Sequence, residues 1–271
     1  MLARPPPRPR GAAPCADYPV PMADPCELRS PDDVRAAANG DPLLLWAAGD
    51  LLGGARAFFL GDATAVAAPA LSGRDRLAVA GPADAAAALL RALLPRLGST
   101  FRPLGDEDLV RDLVARLPRL EFVDAFGWMQ TETATGHGGG AAWLTPSDHP
   151  DVARLLDEAF ANSHARPGRP GVRRWAGARD ASGALSACAA DAWSAPGVGF
   201  LAGVAAAERA RGRGAGTAVC GLVLDRLVAD HGMAALMVDG WNTAAIRLYR
   251  RLGLSWRPLA AARIADPVRR P

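Results

Sequence analysis

The sequence contains no lysine; all 31 of its basic side chains are arginine. Isoleucine occurs only at Ile246 and Ile264, while alanine, glycine, proline and arginine are abundant, a pattern of coding bias in a GC-rich genome and not of chemistry. Without lysine, no ε-amine is available for self-acylation. Cysteine is scarce: Cys15, Cys26, Cys188 and Cys220 form no C-x-x-C pair and no ligand spacing. The four histidines, His137, His149, His164 and His231, form no H-E-x-x-H. A metal site and a disulfide framework are therefore not expected, and the thiols read as reduced, in a cytoplasmic protein. Long hydrophobic runs are also missing. Leu43–Leu52 is broken by Asp50 and too short to span a bilayer, and Met1–Pro14 lacks the apolar stretch of a signal peptide. A net charge of +3 gives no electrostatic case for nucleic acid or membrane. What is present is 271 residues at 50% hydrophobic composition, enough to bury a large core.

Residues 1–28 are rich in proline, arginine and small residues and read as a disordered arm. Order is predicted from Ser30-Pro31-Asp32-Asp33, an N-cap serine with proline and acid in the first turn, and Gly40 supplies a stop. Strands are expected at 43–48, 55–60, 63–69 and 76–80, then an alanine-rich helix from Pro82 to before Gly98. A second helix over 106–117 has Leu109, Leu113 and Leu117 as one stripe. Residues 121–132 read as a strand, and the small and polar segment 133–140 as a linker or active-site loop. In the second half, a short strand at 143–145 precedes a helix from Pro150 with Val152, Leu155, Leu156, Ala159 and Phe160 on one face. Strands at 173–179 and 184–193 flank the hairpin turn Asp180-Ala181-Ser182-Gly183. Then come strand 199–205, helix 217–231, strand 234–238, helix 243–252 and strand 254–264. The order predicts an α+β or mixed α/β fold, with an N-terminal domain over 29–132, a second domain over 141–265 and a tail at 266–271.

Chemistry concentrates at Arg211-Gly212-Arg213-Gly214-Ala215-Gly216, between a predicted strand and a predicted helix. Alternate glycines let successive N–H groups point into one concavity, and the helix starting at Thr217 adds its positive end. The arginines can pair with phosphate oxygens, so the segment reads as a pyrophosphate cradle. A solvated glycine turn with a basic rim would share this composition. The segment is neither a Walker loop, since no G-K-[ST] follows, nor the Rossmann fingerprint, since Gly216 comes one residue early. Downstream, Asn242 precedes a helix with Ala245, Leu248, Tyr249 and Leu252 on one face, Arg247, Arg250 and Arg251 opposite, and Gly253 at its end. Asn242 reads as an N-cap and Tyr249 as a core aromatic; a phenol placed there can also protonate a departing thiolate.

Taken in order, Val204, Arg211, Gly212, Gly214 and Gly216, then Leu236, Val238, Asn242, Ala245, Leu248, Tyr249 and Gly253, resemble the GNAT superfamily of acyl-CoA N-acyltransferases, over about residues 141–265. The resemblance implies a mixed sheet splayed at a V-shaped opening, with flanking helices. It implies acetyl-CoA as co-substrate, its pantetheine arm held by backbone groups of Val204 and Ala206. Its pyrophosphate would lie on Arg211, Gly212, Arg213, Gly214, Ala215, Gly216 and Thr217, Asn242 would touch it, and Tyr249 would be the general acid. The chain departs from the family pattern at Glu208, where proline is common, and at Met237, where a carboxylate is common. Strand 199–206 holds no acid either, so Asp191 and Asp239 are the candidates for removing a proton from an ammonium, directly or through water.

The N-terminal half has no second R-x-x-G-x-G. A degenerate copy of the same fold, as in tandem members of the superfamily, and an unrelated cap both fit, the copy somewhat better. Three functions follow: acetylation of a primary amine on a small molecule, acetylation of a protein or peptide, or non-catalytic sensing of acyl-CoA. Tyr249 argues for an enzyme, because a pure binder needs no acid there, and the lack of an acidic run argues against a protein acceptor.

Overall fold

Ser30 accepts the N–H of Asp33 and Pro31 fixes the following turn, so helix α1 (Pro31–Ala37) starts where its cap predicts. The computed structural model describes residues 24–265. The arm at 1–23 and the tail at 266–271 lie outside the described residues. Within the expected arm, however, Cys26–Leu28 form a strand, β1, antiparallel to β2 (Arg56–Leu60).

Residues 43–48, expected as a strand, belong instead to helix α2 (Pro42–Ala48). Asp41 caps it by accepting the Leu43 N–H at 2.8 Å. Leu43, Leu44, Trp46, Ala47 and Ala48 are all buried, so the helix shows no polar face and its apolar run reads like a strand. The following elements are β3 (Ala63–Leu71), β4 (Arg74–Ala80), α3 (Ala83–Leu97), β5 (Arg102–Asp106), α4 (Glu107–Arg116) and β6 (Leu120–Thr131). In α4 the buried residues are Val110 and Leu113, with Leu109 at their margin and Leu117, the C-cap, buried just beyond the helix. Strand β5 was not expected, because Pro103 and Gly105 look like loop residues. Gly105 is required there: a Cβ on it would lie 2.6 Å from the Val79 carbonyl oxygen of the neighbouring strand.

The second half contributes β7 (Ala142–Trp143), α5 (His149–Ala159), β8 (Val172–Arg179), β9 (Leu185–Ala192), β10 (Gly199–Ala206), α6 (Ala215–His231), β11 (Ala234–Asp239), α7 (Thr243–Arg251) and β12 (Ser255–Ile264). Phe160 leaves the buried face expected of it. The helix ends at Ala159, the backbone turns away, and the ring is 45% exposed. Segment 133–140 lies across α6: the Asp225 carboxylate accepts the N–H groups of Thr135 and Gly136, and Gly221 makes room for the His137 backbone.

Among the described residues, twelve strands form one mixed sheet, ordered β1-β2-β3-β4-β5-β12-β6-β11-β10-β9-β8-β7. Inward from either edge the pairings follow one scheme. Three antiparallel pairs lead to one parallel pair, β4–β5 on one side and β10–β11 on the other. Each fifth strand then pairs antiparallel with the last strand of the opposite half, β5 with β12 and β11 with β6. The long β6–β12 pair is the centre of the sheet.

Helices cover both faces. On one, α6 and α7 pack Val223, Leu224, Leu227 and Tyr249 against Leu236 and Val238. On the other, Trp46 of α2 stacks on Phe200 with centroids 4.5 Å apart and meets Trp128 edge-on at 5.8 Å. The Trp46 indole donates to the Trp193 carbonyl at 2.9 Å, so one aromatic cluster joins the two halves.

Candidate active site

Strands β10 and β11 run parallel but pair only at Gly199–Ala234 and Phe200–Ala235, after which they diverge. Beyond that point β10 carries a bulge against β9 between Ala202 and Ala205, centred on Gly203 at φ +61°. A Cβ at Gly203 would lie 2.6 Å from the Trp175 ring, so glycine serves both the turn and the packing. Past the bulge, Val204 and Ala206 face the opening.

The bend after β10 is left-handed at Gly212 (φ +72°) and Gly214 (φ +86°), and Gly214 is the N-cap of α6, which starts two residues earlier than expected. Nothing lies within 4 Å of a Cβ built at either glycine, so the bend opens onto free space. Among the described residues, the N–H groups of Gly212, Gly214, Ala215, Gly216 and Thr217 find no acceptor, whereas those of Arg211 and Arg213 bond back to Glu208 and Ala210. Five donors at a helix N-terminus form an anion cradle.

This bend is one wall of a cleft of about 600 Å³. Of the residues named from the sequence as cofactor contacts, Val204, Ala206, Arg211, Gly212, Gly214, Gly216 and Thr217 line it; Arg213 and Ala215 do not. The opposite wall is α7, with Ala245, Leu248 and Tyr249 joined by Arg247 and Arg251. Those two arginines, expected to point away, stand one turn apart along the rim. Their i, i+4 spacing beside a phosphate cradle was the signal available in the sequence. Asn242 does not line the cleft: its side chain accepts the Ala245 N–H at 3.1 Å and caps α7.

Tyr249 is 6% exposed, packs among α6 and β11 side chains, and is one of the residues that line the cleft. Burial, with a smaller contribution from Cys220, raises its pKa well above the ordinary phenol value, so it stays protonated and able to donate. Burial also pushes the Cys220 and Cys188 thiols up to about 12, which removes both as nucleophiles.

The two carboxylates considered as bases lie in different settings. Asp191 is 2% exposed; it accepts Arg174 Nε at 3.2 Å and Ser194 Oγ at 2.7 Å, and Ser194 in turn accepts the Phe200 N–H. Asp191 thus fixes the start of β10 where the splay begins, and it lines neither the cleft nor the cavity behind it. Asp239, at the end of β11, borders that second cavity, of about 340 Å³, together with Met237. Partial burial and, second, the Asp124 carboxylate raise its pKa above the usual carboxylate value.

Residues 141–254 match the model of the acetyltransferase (GNAT) family. No curated protein matches the chain at a significant level. Among solved structures, the chain is similar to a GCN5-related N-acetyltransferase from Sphaerobacter thermophilus, at 17% identity and a TM-score of 0.53, covering 89% of this chain and 97% of that one. It is also similar to a GCN5-related N-acetyltransferase from Kribbella flavida, at 19% identity and a TM-score of 0.52, covering 78% and 89%. At these identities the likeness establishes the fold, a large mixed sheet with flanking helices. No helix among the described residues is long and apolar enough to cross a membrane. Residues 141–254 of this chain are a GNAT-family acetyltransferase domain.

Proposed function

We propose that the protein transfers an acetyl group from acetyl-CoA to a primary amine on a small molecule, by direct attack within a ternary complex. The observation that carries this is that four residues with unpaired main-chain N–H groups, Gly212, Gly214, Gly216 and Thr217, line one cleft together with a protonated Tyr249, beside splayed strands. The cradle fits a diphosphate, with Arg211, Arg247 and Arg251 supplying charge at its rim. The splay beyond Phe200 leaves main-chain groups of Val204 and Ala206 free for an amide-bearing arm.

In the reaction, the amine lone pair forms the new C–N bond and the C–S bond breaks. Tyr249 donates a proton to the departing thiolate, and the surplus proton of the amine passes to Asp239, directly or through water. Main-chain N–H groups of β10 facing the opening would stabilise the developing oxyanion, at about 3 kcal/mol per donor. Direct attack is favoured over an acyl-enzyme because Cys220, the thiol beside Tyr249, is held protonated, and no lysine exists to be acylated. We further propose that the N-terminal half, residues 29–132, is a degenerate copy of the same fold, supported by the repeated order of strand pairing. Its turn from β4 to α3 is only Gly81-Pro82 and offers no cradle.

The test is thiol release from acetyl-CoA across amines that include amino acids, polyamines, aminoglycosides and peptides, with calorimetry of acetyl-CoA binding alongside. Binding with turnover of a small amine is expected. No heat with acetyl-CoA in folded protein would overturn the reading, binding without turnover would favour a sensor, and turnover of peptides alone would move the acceptor to proteins.

A further inference from the structure

The second cavity holds a group of charges that acetyl transfer to a simple amine does not need. Arg76 and Arg102 are register partners on the parallel strands β4 and β5, and Arg74 lies two residues before Arg76 on the same face. Like charges side by side on adjacent strands repel one another. Among the described residues none of the three has a carboxylate partner, although arginines elsewhere in the sheet do; Arg257, on the adjacent β12, holds both Asp41 and Asp106. Arg76 donates to the Leu71 carbonyl at 3.1 Å and to Ser72 Oγ, and lies over the Trp46 ring at 5.9 Å. Burial, then Arg74 and Arg102, lower its pKa to about 10, and His164 is lowered by burial and by Arg74 and Arg76. The result is an uncompensated positive wall.

The opposite wall is acidic and sits at the splay. Asp239 of β11 stands there, Asp124 of β6 lies one strand nearer the arginines, and Met237 lies between the arginines and the diverging β10. From β5 to β11 the sheet passes through β12 and β6, three strand spacings or about 14 Å between backbones. The loop after α5 closes over the top: His164 packs against Gly73, where a Cβ would lie 2.9 Å from its Nδ1. The cavity is thus built jointly by the two halves of the chain, positive at one end and negative at the end nearest the opening.

We propose that this cavity is the acceptor site and that the acceptor is a small amine that also carries a carboxylate or phosphate group. Arg74, Arg76 and Arg102 hold the acid, and Asp239 with Asp124 draws the ammonium to the splay. This assignment rests on the acetyl-transfer reading for its chemistry, but its charge pattern is testable alone. The positive wall comes from the N-terminal half, which gives that half a role in choosing the acceptor.

The experiment compares wild type with the double variant Arg74→Gln, Arg102→Gln; Arg76 is spared because it stacks on Trp46 in the core. Calorimetry of acetyl-CoA should give equal affinity in both proteins, showing that the cleft is intact. Thiol release is then measured on matched pairs: amino acids against their carboxamides, and aminoalkyl phosphates against the corresponding amino alcohols. One acidic series should exceed its neutral partners by at least about 100-fold in kcat/KM, and the double variant should lose most of that preference through KM. Which series wins distinguishes carboxylate from phosphate. Equal use of neutral partners, or a preference that survives in the variant, would overturn the proposal. Inorganic phosphate, without acetyl-CoA, should raise the Tm of wild type more than that of the variant. If that holds while acetyl-CoA fails to bind, the transfer reading falls and the anion site stands. No difference with phosphate and no acidic preference would remove the site.

Discussion

Residues alternate along β11, and the alternation divides the chemistry. Leu236 and Val238 pack under Tyr249 on one face, while Met237 and Asp239 border the acceptor cavity on the other. Tyr249→Phe removes the hydroxyl and keeps the ring that fills the core, so kcat should fall about 100-fold with acetyl-CoA affinity unchanged by calorimetry. Unchanged turnover would remove Tyr249 from the mechanism. Asp239 must be ionised to take a proton, and its pKa is raised by partial burial and by Asp124. Activity should therefore decline as pH falls toward that raised value, at a higher pH than an ordinary aspartate would produce. Asp239→Asn should lower kcat and abolish that acidic limb. The sign for stability is opposite. A raised folded pKa makes the ionised form unfavourable in the native state above the unfolded pKa, so the same variant should hold or raise Tm at neutral pH. A large drop in Tm would mark Asp239 as structural.

The diphosphate site proposed along β10, the bend and the start of α6 requires that its donors stay bare. Gly214 occupies φ +86°, where a side chain adds about 1–2 kcal/mol of backbone strain, and the space in front of it is open. Gly214→Trp should leave a folded, modestly destabilised protein whose calorimetric heat with acetyl-CoA is lost; full affinity would discard the cradle. This segment was legible in the sequence because its signal is local: alternating glycines, flanking arginines and a helix start. Three elements were harder to read, each for a physical reason. Helix α2 is buried nearly all round, so it lacks the periodic polar face that separates helix from strand, and only Asp41-Pro42 marked its start. Strand β5 contains Pro103 and Gly105, and the need for glycine there lies in the Val79 carbonyl on another strand. Because β5 went unread, so did the pairing of Arg102 with Arg76. Phe160 continued the i, i+4 pattern of α5, yet the helix stopped one residue short of it.

Across the whole molecule, the exchange of last strands decides how the chain folds. Without β6, which comes from the first half, β11 would lose its antiparallel neighbour and β12 its longest pairing; without β12, β5 and β6 would be left in the same state. Each half would then expose the main-chain groups of two strands through the middle of its sheet, which favours aggregation over folding. Arg257 of β12 adds to the dependence by bonding Asp41 and Asp106 of the first half, and Trp46 does so by stacking on Phe200 of the second. The aromatic contact contributes about 0.5–1.5 kcal/mol beyond the area it buries. These links predict one cooperative transition for the full chain in scanning calorimetry, with calorimetric and van't Hoff enthalpies equal. They also predict that residues 141–271 expressed alone are insoluble, and that co-expression with residues 1–140 restores a soluble complex. Two resolved transitions, or a stable and active C-terminal fragment, would show that the exchange is dispensable and that the second half closes its own sheet. One transition would instead mean that acceptor pocket and cofactor cleft form together, because the strands building each are held in register by the other half.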